Sequence, residues 1–394
     1  MSDLQLRDLT ERDFEAALDV RNRSFGILPP ADRPWWERAQ RQAIETHRAV
    51  AVFDGDQLVA HAKARPFQQV WGGRPLPMGG VAGVVVAPEY RRRGVGSLLM
   101  RGLTDRMVEL GDAVSALYPA TMPPYRKLGW ELAGAQHRYS FPSAALRLLE
   151  SVARTPPVPV RRVGPDESAE LVELVRRHHA RHRSSGPRVY TEADLRRELS
   201  EPDVFAYRTE DGLALYEWSG GDLTVSCVFA EREESLRALW SVVGSGSSVA
   251  PTVHAYLAPH DALPLLLAEK AGHDVRVERW MFRVLDPAAA VAGRGFPSGL
   301  DLDVTLTLED PVLPDASGTW RLIVADGRGA LEQVGGQRSP WDGIRLGPRG
   351  FAALYAGTPP AVLRSAGLAS GGAPEADAAL EAAFAARPYL LEYF

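Results

Sequence analysis

Apolar and polar positions alternate with two different periods along the first third of the chain. Phe14, Ala17 and Leu18 recur at the spacing of one helical face. Residues 50–86 are rich in β-branched and aromatic side chains and are interrupted by Asp-Gly and Gly-Gly turn signals, which predicts a series of antiparallel strands. Between residues 94 and 110 the apolar positions return to helical spacing. The pattern therefore predicts a mixed α/β domain.

A similar order of predicted elements follows a second time, after the linker-like run TPPVPV at residues 155–160. The repeated elements are a helix through Leu171, Leu174 and Val175, hairpins within 204–230, a helix near 236–243, a strand at 252–257 and a helix from Asp261. KLGWELAGAQHRYSF, from Lys127, and KAGHDVRVERWMFRVL, from Lys270, both predict a helix end, a glycine cap and a long strand. We interpret the chain as a duplicated fold whose copies have diverged.

A second boundary falls in DPAAAVAGRGFPSG, residues 286–299, which is rich in small residues, glycine and proline. Strand-like and then helical patterns follow it, which predicts a small α+β domain. We therefore divide the chain into residues 1–150, the first copy, residues 151–286, the second copy, and a C-terminal domain, residues 287–394.

Composition and charge exclude several classes of protein. The chain has 394 residues, 45% hydrophobic and 24% charged, and no apolar run approaches the ~18 residues that span a bilayer. Its first segment is charged and lacks an apolar core, so we expect a cytoplasmic protein without a membrane partner. Cys227 is the lone cysteine and forms no disulfide within the chain. The net charge of −5 argues against a nucleic-acid partner.

The most informative motif is VAGVVVAPEYRRRGVGSLLM, residues 81–100. An apolar strand leads into Arg91-x-x-Gly94-x-Gly96, which opens an amphipathic helix. Glycines allow backbone N–H groups to converge, and the helix N-terminus adds partial positive charge, so the turn suits a pyrophosphate. The motif lacks the lysine of a nucleotide P-loop and the three glycines of a dinucleotide site. A cationic surface turn is the alternative, and the position between strand and helix favours the phosphate site.

This strand and loop resemble the GNAT acetyltransferase superfamily, in which the equivalent segments bind acetyl-CoA. A second family element, an aromatic residue in a short helix before Leu-Gly-aromatic, appears as PPYRKLGWE, residues 123–131. By this resemblance the strand residues Val84, Val85 and Val86 lie along the pantetheine. The residues implied for the phosphates are Arg91, Arg92, Arg93, Gly94, Val95, Gly96 and Ser97.

The whole layout is similar to the Eis (enhanced intracellular survival) acetyltransferases. Their plan is a tandem of GNAT domains, the N-terminal one active and the second degenerate, followed by an α+β domain like sterol carrier proteins. The resemblance implies an N-acetyltransferase that uses acetyl-CoA and no metal. It also implies a small aminoglycoside-like or polyamine-like amine acceptor, with lysine side chains as a further option, and a homo-oligomer, a hexamer in this family.

The repeat indicates which copy is active. Opposite APEYRRRGVGSLL the second copy has AEREESLRALW, residues 230–240, in which glutamates and a shortened turn replace the glycine loop. Glutamates there would repel a pyrophosphate. Counting back from the predicted glycine caps, Tyr125 of the first copy corresponds to Ala268 of the second. The second copy is therefore predicted to lack the cofactor loop and the acid.

Two catalytic residues follow from the resemblance. Tyr125 matches the family's general acid, and a packed helix-end tyrosine is the alternative. The apolar end ARPYLLEYF matches a tail that ends in the active site, where the Phe394 carboxylate acts as general base. Glu392 adds negative charge there or faces solvent. The alternative for the tail is that it pins the last helix to the core.

Less specific features complete the sequence-based picture. Phe25, Trp35 and Trp36 are candidates for the acceptor pocket, and core packing explains them almost as well. RRHHARHR contains the i, i+4 pair His178 and His182, but no third ligand is near in sequence, so a solvated basic helix is favoured and no metal site is predicted. The alternative function is a non-catalytic acyl-CoA-binding or lipid-binding protein with vestigial GNAT domains.

Overall fold

A computed structural model describes residues 4–147, 149, 158–268, 274–334 and 343–394. Part of the predicted linker at 155–160, and the glycine cap predicted shortly after Lys270, lie outside the described residues. Within the described ranges, no helix is both long enough and apolar enough to cross a membrane.

The first copy forms the predicted α/β arrangement. Its strands are β1 (Leu4–Asp8), β2 (Ala49–Asp54), β3 (Gln57–Trp71), β4 (Arg74–Val86), β5 (Val114–Leu117) and β6 (Glu131–Pro142). Its helices are α1 (Phe14–Phe25), α2 (Arg33–Glu45), α3 (Val95–Glu109), α4 (Pro123–Arg126) and α5 (Ser143–Arg147). β2, β3 and β4 pair antiparallel, as the turn signals predicted, and β4 pairs parallel with β5.

The second copy repeats this order, and several of its elements are shorter. Its strands are β7 (Arg161–Arg162), β8 (Arg188–Val189), β9 (Val204–Arg208), β10 (Gly212–Ser219), β11 (Asp222–Ala230), β12 (Thr252–Leu257) and β13 (Asp274–Val284). Its helices are α6 (Ser168–Arg181), α7 (Glu192–Glu198), α8 (Glu233–Gly244) and α9 (Leu263–Leu266). The helix predicted from Asp261 is a single turn, because Leu267 already has extended backbone angles.

The two copies share one sheet, because a strand of the second copy is inserted between two strands of the first. The sheet order is β1-β2-β3-β4-β5-β13-β6-β12-β11-β10-β9-β7. β13, the last strand of the second copy, lies between β5 and β6 of the first and is antiparallel to both. The other edge of β6 pairs with β12. The domain limits drawn at 150 and 286 stay a prediction. The shared sheet contains strands from both sides of residue 150, whereas its last strand in sequence, β13, ends at Val284, before the second limit.

The C-terminal domain has a separate sheet, with the order β16-β15-β14-β17-β18. Its strands are β14 (Leu302–Leu308), β15 (Gly318–Ala325), β16 (Arg328–Gln333), β17 (Ile344–Leu346) and β18 (Ala369–Gly371). Its helices are α10 (Pro287–Gly293), α11 (Pro348–Tyr355), α12 (Pro360–Ser365) and α13 (Pro374–Phe384). This confirms the predicted α+β domain.

An aromatic core joins the C-terminal domain to the shared sheet. Trp71 of β3 and Phe282 of β13 have ring centroids 4.7 Å apart, and Tyr355 of α11 lies 5.0 Å from Trp71. The buried Arg294 guanidinium lies 4.8 Å from the Tyr355 ring and donates to the backbone oxygens of Tyr355 and Phe384. The rings and the two hydrogen bonds from the buried Arg294 guanidinium fix the position of α13. The chain that leaves α13 therefore starts from a rigid point.

Candidate active site

In the first copy, β4 extends beyond the end of its parallel neighbour β5, and we refer to the space beside this edge of β4 as the cleft. β4 pairs with β5 from Met78–Gly80 to Val114–Ala116. β4 then continues to Val86, whereas β5 ends at Leu117, so no strand among the described residues pairs with the last part of β4 on this side. The strand ends of a parallel pair are a common location for ligands in α/β folds. The loop before α3 and the turn α4 both lie at these ends.

The loop before α3 has the geometry expected of a phosphate site. Residues 87–94 connect β4 to α3, and the Arg91, Arg92 and Arg93 side chains are exposed there. Gly94 has φ of +85°, and a Cβ on it would meet nothing within 4 Å. The first amides of a helix have no partner inside it, and they carry its partial positive charge. Open space, arginines and a helix N-terminus together fit a pyrophosphate.

A bulge interrupts β4 next to the predicted pantetheine residues. His61 of β3 pairs with Val85, whereas Lys63 pairs with Ala82, so Gly83 and Val84 stand opposite a single residue. Gly83 has φ of +62°. A bulge leaves backbone groups outside the ladder and free for other partners. The sequence analysis missed Gly83, for which the glycine inside the run VAGVVV was the available signal.

Tyr125 lies in α4, beside the cleft and against the first-copy core. Its backbone oxygen accepts from the amides of Leu128 and Trp130, at 2.9 and 3.1 Å, which ties the turn to β6. Burial raises the pKa of the Tyr125 phenol, and the nearby Tyr393 adds to the shift. A buried phenol resists ionisation, so it keeps its proton at neutral pH. Tyr125 is therefore available as a proton donor.

The tail, residues 385–394, crosses the sheet from the second copy to this cleft. The Leu390 amide donates to the Ala135 oxygen of β6 at 3.3 Å, and the Tyr389 amide donates to the Ser185 oxygen at 3.1 Å. Gln136 Nε2 donates to the Leu391 oxygen at 2.8 Å. The tail is thus held between β6 and the segment before β8.

The last two residues pack at the cleft. The Tyr393 ring stacks on Tyr118, with centroids 4.3 Å apart, and the Tyr118 hydroxyl donates to the Glu392 oxygen at 3.0 Å. Phe394 lies edge-on to Phe67 at 5.2 Å and reaches the backbone of Gly80, where a Cβ would come 3.1 Å from its ring. Because Gly80 is the last β4 residue paired with β5, Phe394 lies where the strands separate.

The three residues predicted to line the acceptor pocket differ in their exposure. The Phe25 and Trp35 side chains are each 56% exposed and can meet a ligand. Trp36 is buried and packs edge-on to Phe14 at 6.1 Å, which favours the core interpretation of this residue. Glu392 does not face solvent fully: its Oε2 is buried, without a hydrogen bond from a described residue, and lies in a cavity of the second copy.

The second copy lacks the loop, as the sequence predicted. β11 ends at Ala230 and α8 begins at Glu233, so residues 231–232 stand where residues 87–94 stand in the first copy. Ser235 is buried and donates to Asp211 at 2.6 Å. Ala268 is exposed beyond α9, and since its predicted cap is not described, its correspondence with Tyr125 stays a prediction.

Comparisons with known proteins agree with this geometry. Residues 5–133 match one acetyltransferase (GNAT) domain family, residues 174–284 match another, and residues 287–391 match the sterol carrier protein domain family. A solved GCN5-related N-acetyltransferase from Kribbella flavida is 48% identical, with a TM-score of 0.95 over 100% of this chain and 99% of that one. The chain belongs to the GCN5-related N-acetyltransferases.

Within this family the acetyltransferase is Eis-like. N-acetyltransferase Eis from Mycobacterium tuberculosis is 26% identical over 341 residues, 81% of this chain and 82% of that protein. An uncharacterized N-acetyltransferase from Streptomyces avermitilis is 26% identical over 350 residues, 82% of this chain and 83% of that protein. The predicted plan of two GNAT domains and a sterol-carrier-like domain is confirmed, and this GNAT membership implies binding of acetyl-CoA.

Proposed function

We propose that the first copy transfers an acetyl group from acetyl-CoA to an amine of a small polyamine-like or aminoglycoside-like acceptor. One observation carries the proposal: a glycine loop, a protonated tyrosine and residues 393–394 lie where β4 extends beyond the end of β5. The second copy has the same strand pair without the loop. The reaction is therefore assigned to the first copy.

The cofactor residues follow from the cleft. The unpaired side of β4, with Val84, Val85 and Val86, offers main-chain groups to the pantetheine. The residues proposed for the phosphates are Arg91, Arg92, Arg93, Gly94, Val95, Gly96 and Ser97. Acetyl-CoA supplies the acetyl group as an activated thioester. A backbone N–H at the bulge is the proposed donor to the carbonyl oxygen, because preorganised donors stabilise charge that develops there.

Tyr125 is proposed as the general acid. The departing sulfur needs a proton, and the buried Tyr125 phenol keeps one at neutral pH. After donation the phenolate would lie in a partly buried place, so it regains its proton readily. The packing of Tyr125 against the core holds the hydroxyl in position without excluding it from the cleft.

The Phe394 carboxylate is proposed as the group that receives the amine. A free α-carboxylate has a pKa near 3.5, so it is ionised at neutral pH and attracts a cationic amine. Directly or through water it then takes the amine proton before attack. The exposed rings of Phe25 and Trp35 are proposed contacts for the apolar faces of the acceptor, and cations also bind such faces.

The first experiment follows thiol release. Acetyl-CoA and a panel of polyamines, aminoglycosides and lysine peptides are incubated with the enzyme, and acetylated products are identified by mass. We expect turnover with at least one polycationic amine. Tight acetyl-CoA binding without turnover on any amine would instead support the alternative function, that of a non-catalytic acyl-CoA-binding or lipid-binding protein.

A second experiment tests the tail. Converting the Phe394 carboxylate to an amide removes its charge and adds no bulk. We expect a large loss of turnover, with unchanged acetyl-CoA affinity and melting temperature. Full turnover of the amide would contradict the role of the carboxylate and would leave the tail as a structural anchor.

We also propose that the chain assembles as a homo-oligomer, a hexamer by its likeness to the Eis family. Sedimentation at several concentrations measures the assembled mass. A monomer at every concentration would contradict this proposal and would leave the assignment of the reaction untouched.

A further inference from the structure

The structure brings a carboxylate to the histidine pair of the second copy. His178 lies in the last turn of α6, and His182 is the residue that caps this helix. Glu231 directly follows β11. His178 Nδ1 is 2.9 Å from Glu231 Oε1, and His182 Nε2 is 3.4 Å from Glu231 Oε2. One ligand atom from each of the three residues lies within 4.8 Å of the others, so the third ligand missing in the sequence is present.

This corner is the counterpart of the cofactor corner in the first copy. There the end of α1 meets the end of β4, where Ser24 Oγ donates to the Val86 oxygen at 3.4 Å. In the second copy the end of α6 meets the end of β11. The shortened junction, residues 231–232, places a carboxylate at the strand end that carries the arginine loop in the first copy. A carboxylate therefore follows the strand in the second copy where the first copy has its arginine loop.

Glu231 has unused ligand capacity. Glu231 Oε2 is buried and accepts no well-directed hydrogen bond from the described residues. Arg181 Nε is 2.8 Å from this oxygen, and this contact is an ion pair whose N–H is poorly aligned. A buried carboxylate oxygen that lacks a hydrogen bond is costly, so a bound cation there would compensate it.

The histidines are prepared to act as ligands. The His178 ring stacks on Phe229, with centroids 4.3 Å apart, which fixes its orientation. His178 Nδ1 lies at hydrogen-bond distance, 2.9 Å, from Glu231 Oε1, so a metal ion bound between them would replace the proton that this contact now holds. Metal binding needs a neutral imidazole with a free lone pair.

We propose that His178, His182 and Glu231 bind one divalent transition-metal ion of the zinc class. Two histidines at i, i+4 and one glutamate are a zinc ligand set with a fourth position left for water or another ligand. Both histidines also line a cavity of about 370 Å³. The metal would fasten α6 to the end of β11, with its open position available to that cavity. Arg181 forms an ion pair with Glu231 Oε2, and on metal binding this oxygen would turn from Arg181 to the metal.

The test is titration of untagged, chelator-treated full-length protein with Zn²⁺, in calorimetry or in competition with a chromophoric chelator. We expect one ion per chain. Glu231→Gln and His182→Gln should each weaken binding at least about tenfold, as expected when a metal site loses a ligand or its direct support. The control is His47→Gln, which removes a surface histidine 3.6 Å from the Asp8 carboxylate and should leave binding unchanged.

A second measurement distinguishes coordination from loose association. Co²⁺ bound by three protein ligands should give visible d–d absorption that is lost in Glu231→Gln, and Zn²⁺ should raise the melting temperature of the wild type more than that of this variant. Melting without metal shows whether each variant is folded. If the wild type binds no more Zn²⁺ than the two ligand variants, the cluster is an ion pair with Arg181 and the metal site does not exist.

Discussion

The two copies carry the same strand-to-helix junction with different charge. In the first copy, residues 87–94 contain three consecutive arginines and an open glycine turn. In the second copy, the junction is only Glu231 and Arg232, and it leads directly into a helix that begins with two glutamates. The strands and helices around both junctions keep the same order. A few residues at one strand end therefore change the length and charge of the junction, while the order of the surrounding elements remains.

The second copy still contributes to the reaction centre of the first. It supplies β13 to the shared sheet, and its segment before β8 holds Tyr389 of the tail. Glu392 faces the second-copy cavity, whereas Phe394 lies at the first-copy cleft. The tail thus contacts both copies, so the second copy helps to position the proposed base at the first-copy cleft.

The largest expected effect is at Tyr125. Tyr125→Phe removes the proton donor and keeps the ring that packs in the core, so we expect kcat to fall about 100-fold, within the usual range for general acid catalysis. The KM for acetyl-CoA should change little. Steady-state kinetics measure both. Tyr207→Phe, in β9 of the second copy, is the control and should keep full activity. Equal losses in the two variants would contradict the assignment of chemistry to the first copy.

The next effect concerns the glycine turn. A Cβ on Gly94 meets no protein atom within 4 Å, so the side chain in Gly94→Val would occupy the space proposed for the phosphates, and the φ of +85° adds strain. We expect kcat/KM for acetyl-CoA to fall about 30-fold, which corresponds to about 2 kcal/mol. Calorimetric affinity for acetyl-CoA is the direct measurement. Glu234→Val, at the exposed start of α8, is the second-copy control; normal affinity in Gly94→Val would mean that the loop is wrongly assigned.

A smaller effect is expected where the second copy holds the tail. Gly186 has φ of +105°, and a Cβ there would come 2.3 Å from the Tyr389 oxygen. Gly186→Ala should therefore shift the tail and lower kcat about tenfold, or about 1.4 kcal/mol, without changing acetyl-CoA affinity. Gly221→Ala is a matched control, because Gly221 also has positive φ but no atom within 4 Å of its Cβ. A similar kcat in both variants would show that the position of the tail does not affect catalysis.

Local sequence patterns predicted some of this structure, but they could not predict contacts between residues that are distant in the sequence. The helix after Gly94 follows from periodicity alone. The insertion of β13 between β5 and β6 does not, because strand pairing across the sheet leaves no local signal. Glu231 is 53 positions from His178 in the sequence, so this cluster could be recognised only from the three-dimensional structure. Trp36 shares a buried helix face with Gln40 and Ala43, and the polar Gln40 masked that pattern.

The smallest expected effect is the pH dependence of stability, which should differ in sign between the copies. Burial and then the charge of Glu392 raise the pKa of Glu198, in α7, to about 7. The folded state therefore holds this proton when the unfolded state has lost it, and stability falls as pH rises from about 4.5 to about 7. Burial lowers the pKa of Lys63, in β3, to about 7, so its contribution makes stability rise with pH above 7.

Glu198→Gln should remove the second-copy part of this dependence. A shift of one unit corresponds to about 1.4 kcal/mol, and water reaches this partly buried carboxyl, so we expect a gain of about 1 kcal/mol at pH 8 and none at pH 4. Urea midpoints from pH 4 to pH 9 measure it. Glu192→Gln, exposed in the same helix, is the control and should run parallel to the wild type. If Glu198→Gln also runs parallel, Glu198 is ionised in the folded protein without penalty, and the second copy stores no unfavourable charge there.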